Sequence, residues 1–150
     1  MRTYTERPTP APPAYVAAAR RIAAAAIDTA RKAIEIQLAR LAHIEQALIA
    51  GEDPDWIALA AFSGATAATV AHKAAGTAAC AISNYAGTTD PGNRPSRHAT
   101  VTRWARETAE IADVAAQEAR GHHLPPDPFD RLLQAATSTR RIAELAELGA

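Results

Sequence analysis

Alanine is the residue that most constrains the fold of this chain, because it occupies 40 of the 150 positions. It loses no side-chain entropy in a helix and is the strongest helix former. The sequence contains no strand pattern, and only 5% of its residues are aromatic. We therefore expect an all-α chain with a thin core and closely packed helices.

Proline, glycine and capping residues divide the chain into segments. The proline-rich residues 1–13 predict a disordered arm, and residues 14–150 predict a single helical domain. An aspartate followed by proline is a common signal for the start of a helix, and glycine often ends one. In chain order these signals predict helix 14–50, a stop at Gly51, a start at Asp53-Pro54, a loop at 86–95, helix 96–120, and helix 128–148 beginning at Asp127-Pro128. The expected architecture is a bundle of four to five amphipathic helices.

The long N-terminal helix carries a coiled-coil-like stripe. Large apolar residues recur in it every seven positions, at Ile27, Ile34, Leu41 and Leu48. A second set of seam positions holds Val16, Ala23, Ala30, Gln37 and Ile44. Such a stripe packs equally well inside a bundle or against a second copy of the chain. We expect a homo-oligomer that associates through the first set.

Charge is unevenly distributed along the chain, although the net charge is zero. Residues 66–106 have a net charge of +4, whereas residues 107–150 have one of −4. A local basic region can contact a polyanion. The alternative is that these charges are simply solvated.

Residues 56–73 have an order of residue types that suggests two helices joined by a turn. Leu59-Ala60 supply an apolar residue and an alanine late in a first helix. Gly64 follows that alanine by four positions, where a tight turn needs a positive φ. Ala65-Thr66 then supply a small residue and a hydroxyl cap, and Val70 an apolar anchor. The segment thus resembles the helix-turn-helix of bacterial DNA-binding proteins.

This resemblance implies a regulatory DNA-binding protein that acts as a dimer. The residues that would contact DNA are Thr66, Thr69, His72 and Lys73, supported by Arg94, Arg97 and Arg103. The second helix lacks the Arg, Asn and Gln side chains that read bases in a bidentate manner. Lys73 also stands where the family usually has an apolar residue. We therefore expect binding mainly through phosphate contacts.

A second interpretation of the same segment is one long helix from Pro54 to Tyr85. Small or polar residues lie in it at four-residue spacing, at Ala60, Gly64, Ala68, His72, Gly76 and Cys80. Such a stripe suits close packing inside a bundle. The chain would then be a non-enzymatic interaction or scaffold protein that self-associates through helix 14–50. The backbone at 62–65 separates the two interpretations.

No catalytic or cofactor site is recognisable, so we expect no enzyme activity, no cofactor and no metal. The sequence contains no Gly-x-Ser-x-Gly motif or glycine-rich phosphate loop. His122-His123 lie near Asp127 but are adjacent and lack a third fixed ligand. Cys80 is a single cysteine. The apolarity of residues 56–85 comes mostly from alanine, so we expect no membrane span. The N-terminal residues contain no apolar signal-peptide core, so we expect a cytoplasmic location.

Overall fold

The computed structural model describes residues 13–85 and 94–149, and these residues form four α-helices and no strand. The helices are α1 (Pro13–Ala50), α2 (Pro54–Tyr85), α3 (Arg94–Gly121) and α4 (Asp127–Leu148). The prediction of an all-α chain is confirmed, with four helices in the described part. Residues 1–12 of the expected arm and residues 86–93 of the expected loop lie outside the described residues. Pro13, Arg94 and Pro95 belong to helices.

Local signals determine the ends of the first two helices. Gly51 has a φ of +68°, and the N–H of Glu52 donates to the carbonyl of Ala47 at 3.0 Å, which closes the end of α1. Asp53 Oδ1 accepts a hydrogen bond of 3.1 Å from the N–H of Asp55 at the start of α2. Both predicted boundaries are therefore confirmed.

The predicted cap of the last helix is wrong. Pro126, not Asp127, is the N-cap residue of α4, and it makes no side-chain cap hydrogen bond. The N–H of Asp130 bonds to the carbonyl of Pro126 at 2.9 Å, so the helix begins one residue earlier than the Asp-Pro signal indicates. The Asp127 carboxylate instead lies in the first turn, where the helix dipole favours a negative charge.

The helices form an antiparallel four-helix bundle in which each packs on two neighbours. α1 and α3 both contact α2 and α4. Thr66 of α2 pairs with Glu118 of α3, and Lys73, two turns later, pairs with Glu107, so these two helices run in opposite directions. In the core, the hydroxyls of Thr29 in α1 and Thr139 in α4 lie 3.1 Å apart. The order is the up-down-up-down topology of simple bundles.

The helices differ in length, and this difference separates two parts of the molecule. α1 has 38 residues and α4 has 22, which correspond to about 57 Å and about 33 Å. Between residues 37 and 62 only Ala47 and Ala60 are buried. We call residues 37–62 the distal hairpin and the rest of the described chain the four-helix body. The rings of His43 and Trp56 meet edge to face at 4.9 Å within the hairpin.

α2 continues without a break through residues 62–65. The turn that the helix-turn-helix resemblance implies at Gly64 is absent, and among the described glycines only Gly51 has a positive φ. Gly64 instead lies against α1, because a Cβ placed on it would be 3.3 Å from Arg40 Cβ. The backbone of this segment is that of the second interpretation, one long helix.

Candidate functional site

Two of the residues predicted to contact DNA face α3. Thr66 Oγ1 lies 3.1 Å from Glu118 Oε2 and also 3.1 Å from the carbonyl of Phe62. Lys73 Nζ forms an ion pair of 2.9 Å with Glu107 Oε2 and lies 5.3 Å from the centre of the Trp104 ring. Both side chains therefore stabilise the contact between α2 and α3.

The other two residues of the predicted recognition helix are His72 and Thr69. His72 and Thr69 are exposed, and Thr69 Oγ1 donates to the carbonyl of Ala65 at 3.1 Å. A hydroxyl that bonds one turn back within its own helix is a common arrangement and needs no ligand. Two of the four residues thus bond to α3, whereas the other two are exposed to solvent.

The supporting arginines belong to α3, and one of them, Arg103, lies near an acidic residue. Arg97 is exposed and its Nη1 is 3.5 Å from Ser83 Oγ, and Arg103 is also exposed. The side chain of Arg94 lies outside the described part of the chain. The hydrogen bond from Lys73, with the charges of Lys73 and Arg103, holds the pKa of Glu107 below its ordinary value. The structure therefore brings Lys73 and Arg103 together, but around a carboxylate.

The coiled-coil-like stripe of α1 is exposed to solvent over its whole length. The exposed fractions are 44% for Ile27, 45% for Ile34, 54% for Leu41 and 62% for Leu48. Leu38 and Ile49, on the same side of the helix, are 60% and 82% exposed. The α1 positions inside the bundle are mostly small, and they include Ala19, Ala23, Ala26, Ala30 and Ala33. α1 therefore packs on its neighbours mostly with alanine, together with Ile22 and Ile36, and presents the large residues of the stripe outward.

An apolar groove lies beside the N-terminal half of this stripe, between α1 and α2. Its volume is about 450 Å³, and its walls include Ile27, Ile34 and Ile82. Arg31 and Glu35 of α1 also line it. We refer to the α1 stripe from Ile27 to Ile49 together with this groove as the apolar face.

A smaller apolar patch occurs on the opposite side of the distal hairpin. Leu59 and Phe62 of α2 are 38% and 68% exposed. Phe62 lies about one turn and Leu59 about two turns before Thr66, and Thr66 contacts α3 near the end of that helix. α3 ends at Gly121, only three residues after Glu118, so it does not extend as far as Leu59.

Sequence reasoning found part of the apolar face and missed the rest. Leu38 could have been found, since it lies four positions after Ile34 and three before Leu41, on the same side of the helix. Ile82 could not, because its place beside Ile27 depends on the alignment of α1 against α2.

The described residues give no sign of other chemistry. They contain no group of three or more His, Cys, Asp or Glu side chains that could hold a metal ion. Across residues 13–85 and 94–149, none of the helices has the length and apolarity that crossing a membrane requires. Cys80 is a free, partly buried thiol.

Comparison of the chain with protein families, curated proteins and solved structures found no match.

Proposed function

We propose that this chain is a non-enzymatic helical interaction protein that assembles with a second copy through its apolar face. The observation that carries the proposal is the arrangement of side-chain size around α1. Its inward positions are mostly alanine, whereas its isoleucine and leucine stripe is about half exposed. Large apolar residues repeated every seven positions form a seam suited to knobs-into-holes packing with a second helix.

The dimensions of the apolar face suit a stable dimer. From Ile27 to Ile49 the stripe is about 33 Å long at 1.5 Å per residue. With the neighbouring α2 the face is about 20 Å wide, so it covers about 650 Å². Stable complexes bury about 600 to 1,000 Å² per partner, so the face lies at the lower end of that range. Burial of a fully exposed leucine or isoleucine contributes about 1.5–3 kcal/mol. Because the stripe residues are already about half buried, each adds about half of that, and several together offset the entropic cost of association.

DNA binding through Thr66, Thr69, His72 and Lys73 stays a prediction. The geometry supports it less than self-association, because Lys73 and Arg103 lie beside Glu107. The negative charge of this carboxylate opposes the approach of phosphates. A fluorescence-anisotropy titration with mixed-sequence duplex at low salt tests this alternative, and an absence of binding there would remove it.

Sedimentation equilibrium of wild type and Leu41→Glu tests the proposed function. We expect a dimer for wild type at tens of micromolar and a monomer for Leu41→Glu, because the new carboxylate would be desolvated in the interface. Leu41 is exposed in the isolated chain, so helix content by circular dichroism should be unchanged.

Val114→Glu is the matched control. Val114 lies on α3, away from the apolar face, and is 48% exposed. This variant should remain dimeric. A monomeric wild type at the same concentration would overturn the proposal, as would a dimer that Leu41→Glu leaves intact.

A further inference from the structure

We infer that the second copy lies antiparallel on α1, across a two-fold axis near Leu38. In this arrangement Arg31 of each copy faces Glu45 of the other. Leu41 and Leu48 of each copy then lie over the apolar groove of the other. The inference rests on the proposed self-association and specifies its geometry.

The two halves of the stripe carry charged residues of opposite sign at matching positions. Arg31 lies four residues after Ile27 and three before Ile34. Glu45 occupies the same position relative to Leu41 and Leu48. The stripe thus repeats one pattern of apolar, charged and apolar residues, with a positive charge in its first half and a negative charge in its second. Both charged side chains are exposed.

Such a pattern favours an antiparallel copy over a parallel one. In a parallel pair each Arg31 would face another Arg31, and each Glu45 another Glu45. Leu38 lies midway between Arg31 and Glu45. A two-fold axis at Leu38 therefore places the Arg31 of each copy opposite the Glu45 of the other. Opposite charges at such flanking positions commonly set partner orientation in helical pairs.

The wider charge distribution supports the same orientation. Residues 13–32 carry four basic and one acidic side chains, whereas residues 35–55 carry five acidic and one basic. Antiparallel packing lays the basic half of each α1 along the acidic distal hairpin of the other copy. A parallel arrangement would place like charges together along the whole contact.

The shape of the apolar groove also favours the antiparallel orientation. The groove extends along α1 from Ile27 to Glu35, with Arg31 near its middle. Under the two-fold, the segment of the second copy opposite it is centred on Glu45 and flanked by Leu41 and Leu48. The distal hairpin, which lacks cover from α3 and α4, would therefore fill the groove of its partner. The groove, the exposed leucines and the charges are explained by one contact.

Charge reversal, measured by sedimentation equilibrium, tests this geometry. Arg31→Glu and Glu45→Arg each convert two attractive pairs into two repulsive ones, so we expect each to raise the dimer Kd by about tenfold. The double variant restores both pairs with their signs exchanged and should return the Kd to near the wild-type value. Arg131→Glu on α4 and Glu110→Arg on α3 change the net charge equally and should have no effect.

A distance measurement fixes the orientation independently. A spin label at Ala24→Cys, in a Cys80→Ala background, lies 14 positions before the proposed axis. Two labels should then be about 42 Å apart along the helices in an antiparallel dimer, but about 10 Å apart in a parallel one.

The outcomes separate this inference from the proposed function. A wild type that stays monomeric would overturn both. Suppose that Leu41→Glu dissociates the dimer but neither single charge reversal changes its Kd. Self-association would then stand and the antiparallel geometry would be overturned. The short label distance in a dimer that Leu41→Glu dissociates would have the same consequence.

Discussion

His98, near the start of α3, is a buried titratable side chain with 3% of its surface exposed. Tyr15 of α1 packs edge-on against its ring, with the ring centres 4.6 Å apart. His98 Nε2 makes no hydrogen bond within the described part of the chain. Burial lowers the pKa of His98, while the charge of Glu147 opposes that shift. The bundle therefore favours the neutral ring.

Stability should consequently fall in mild acid. Because the pKa of folded His98 lies below its ordinary value of 6.5, the unfolded chain binds the proton first. The neutral ring makes its full contribution to the free energy of unfolding above pH 6.5. This contribution is lost as the pH falls from 6.5 towards the pKa of folded His98. We expect the urea midpoint to decrease between about pH 7 and about pH 5.

His98→Phe should flatten this pH dependence, because phenylalanine keeps a ring against Tyr15 and does not titrate. His72→Gln, at an exposed position of α2, should leave it as in wild type. A wild-type midpoint that is the same at pH 5 as at pH 7, or higher at pH 5, would contradict the assignment.

At the scale of the elements, glycines in α2 allow close approach of two different neighbours. Gly64 faces Arg40 of α1, whereas a Cβ on Gly76 would overlap Trp104 Cζ3 of α3. Residues four apart rotate by about 40° around a helix, so the stripe of small residues turns from α1 towards α3 along α2. Each glycine is thus explained by the neighbour it faces.

Gly76→Ala should lower the free energy of unfolding by about 2 kcal/mol, because the methyl group cannot fit against the indole without movement of α3. Gly64→Ala should change it by less than about 1 kcal/mol, since alanine favours the helix and the contact with Arg40 Cβ, at 3.3 Å, requires only a small shift. Trp104→Leu combined with Gly76→Ala should recover part of the loss, in a double-mutant cycle measured by urea unfolding. Equal effects of the two single glycine substitutions would argue against this packing.

Features that depend on neighbouring residues could be predicted from the sequence, whereas features that depend on distant ones could not. The stop at Gly51 and the cap at Asp53 act within a few positions, and both were predictable. Gly64 suits either a turn or a close helix contact, and the presence of Arg40 opposite it decides between them. The outward direction of the α1 stripe likewise depends on α2 and α4, because both sides of α1 are apolar.

At the scale of the whole molecule, stability is distributed unevenly between the four-helix body and the distal hairpin. Two clusters of buried residues fill the body, one around Phe129 and Leu132 and the other around Ile22 and Val101. The hairpin buries only Ala47 and Ala60 and exposes several large apolar side chains. Local opening is easiest where few apolar contacts must be broken, so the hairpin should open more readily than the body.

Hydrogen exchange at two protein concentrations can therefore reveal where association acts. In dilute protein, amides in residues 40–60 should exchange faster than those in residues 129–143 of α4. At higher concentration exchange should slow across residues 27–49, because a ligand that binds the folded chain, here a second copy, opposes opening. Exchange in α4 should change little, and Leu41→Glu should remove the concentration dependence. Protection that instead increased around Leu59 and Phe62 alone would move the interface to the opposite side of the hairpin.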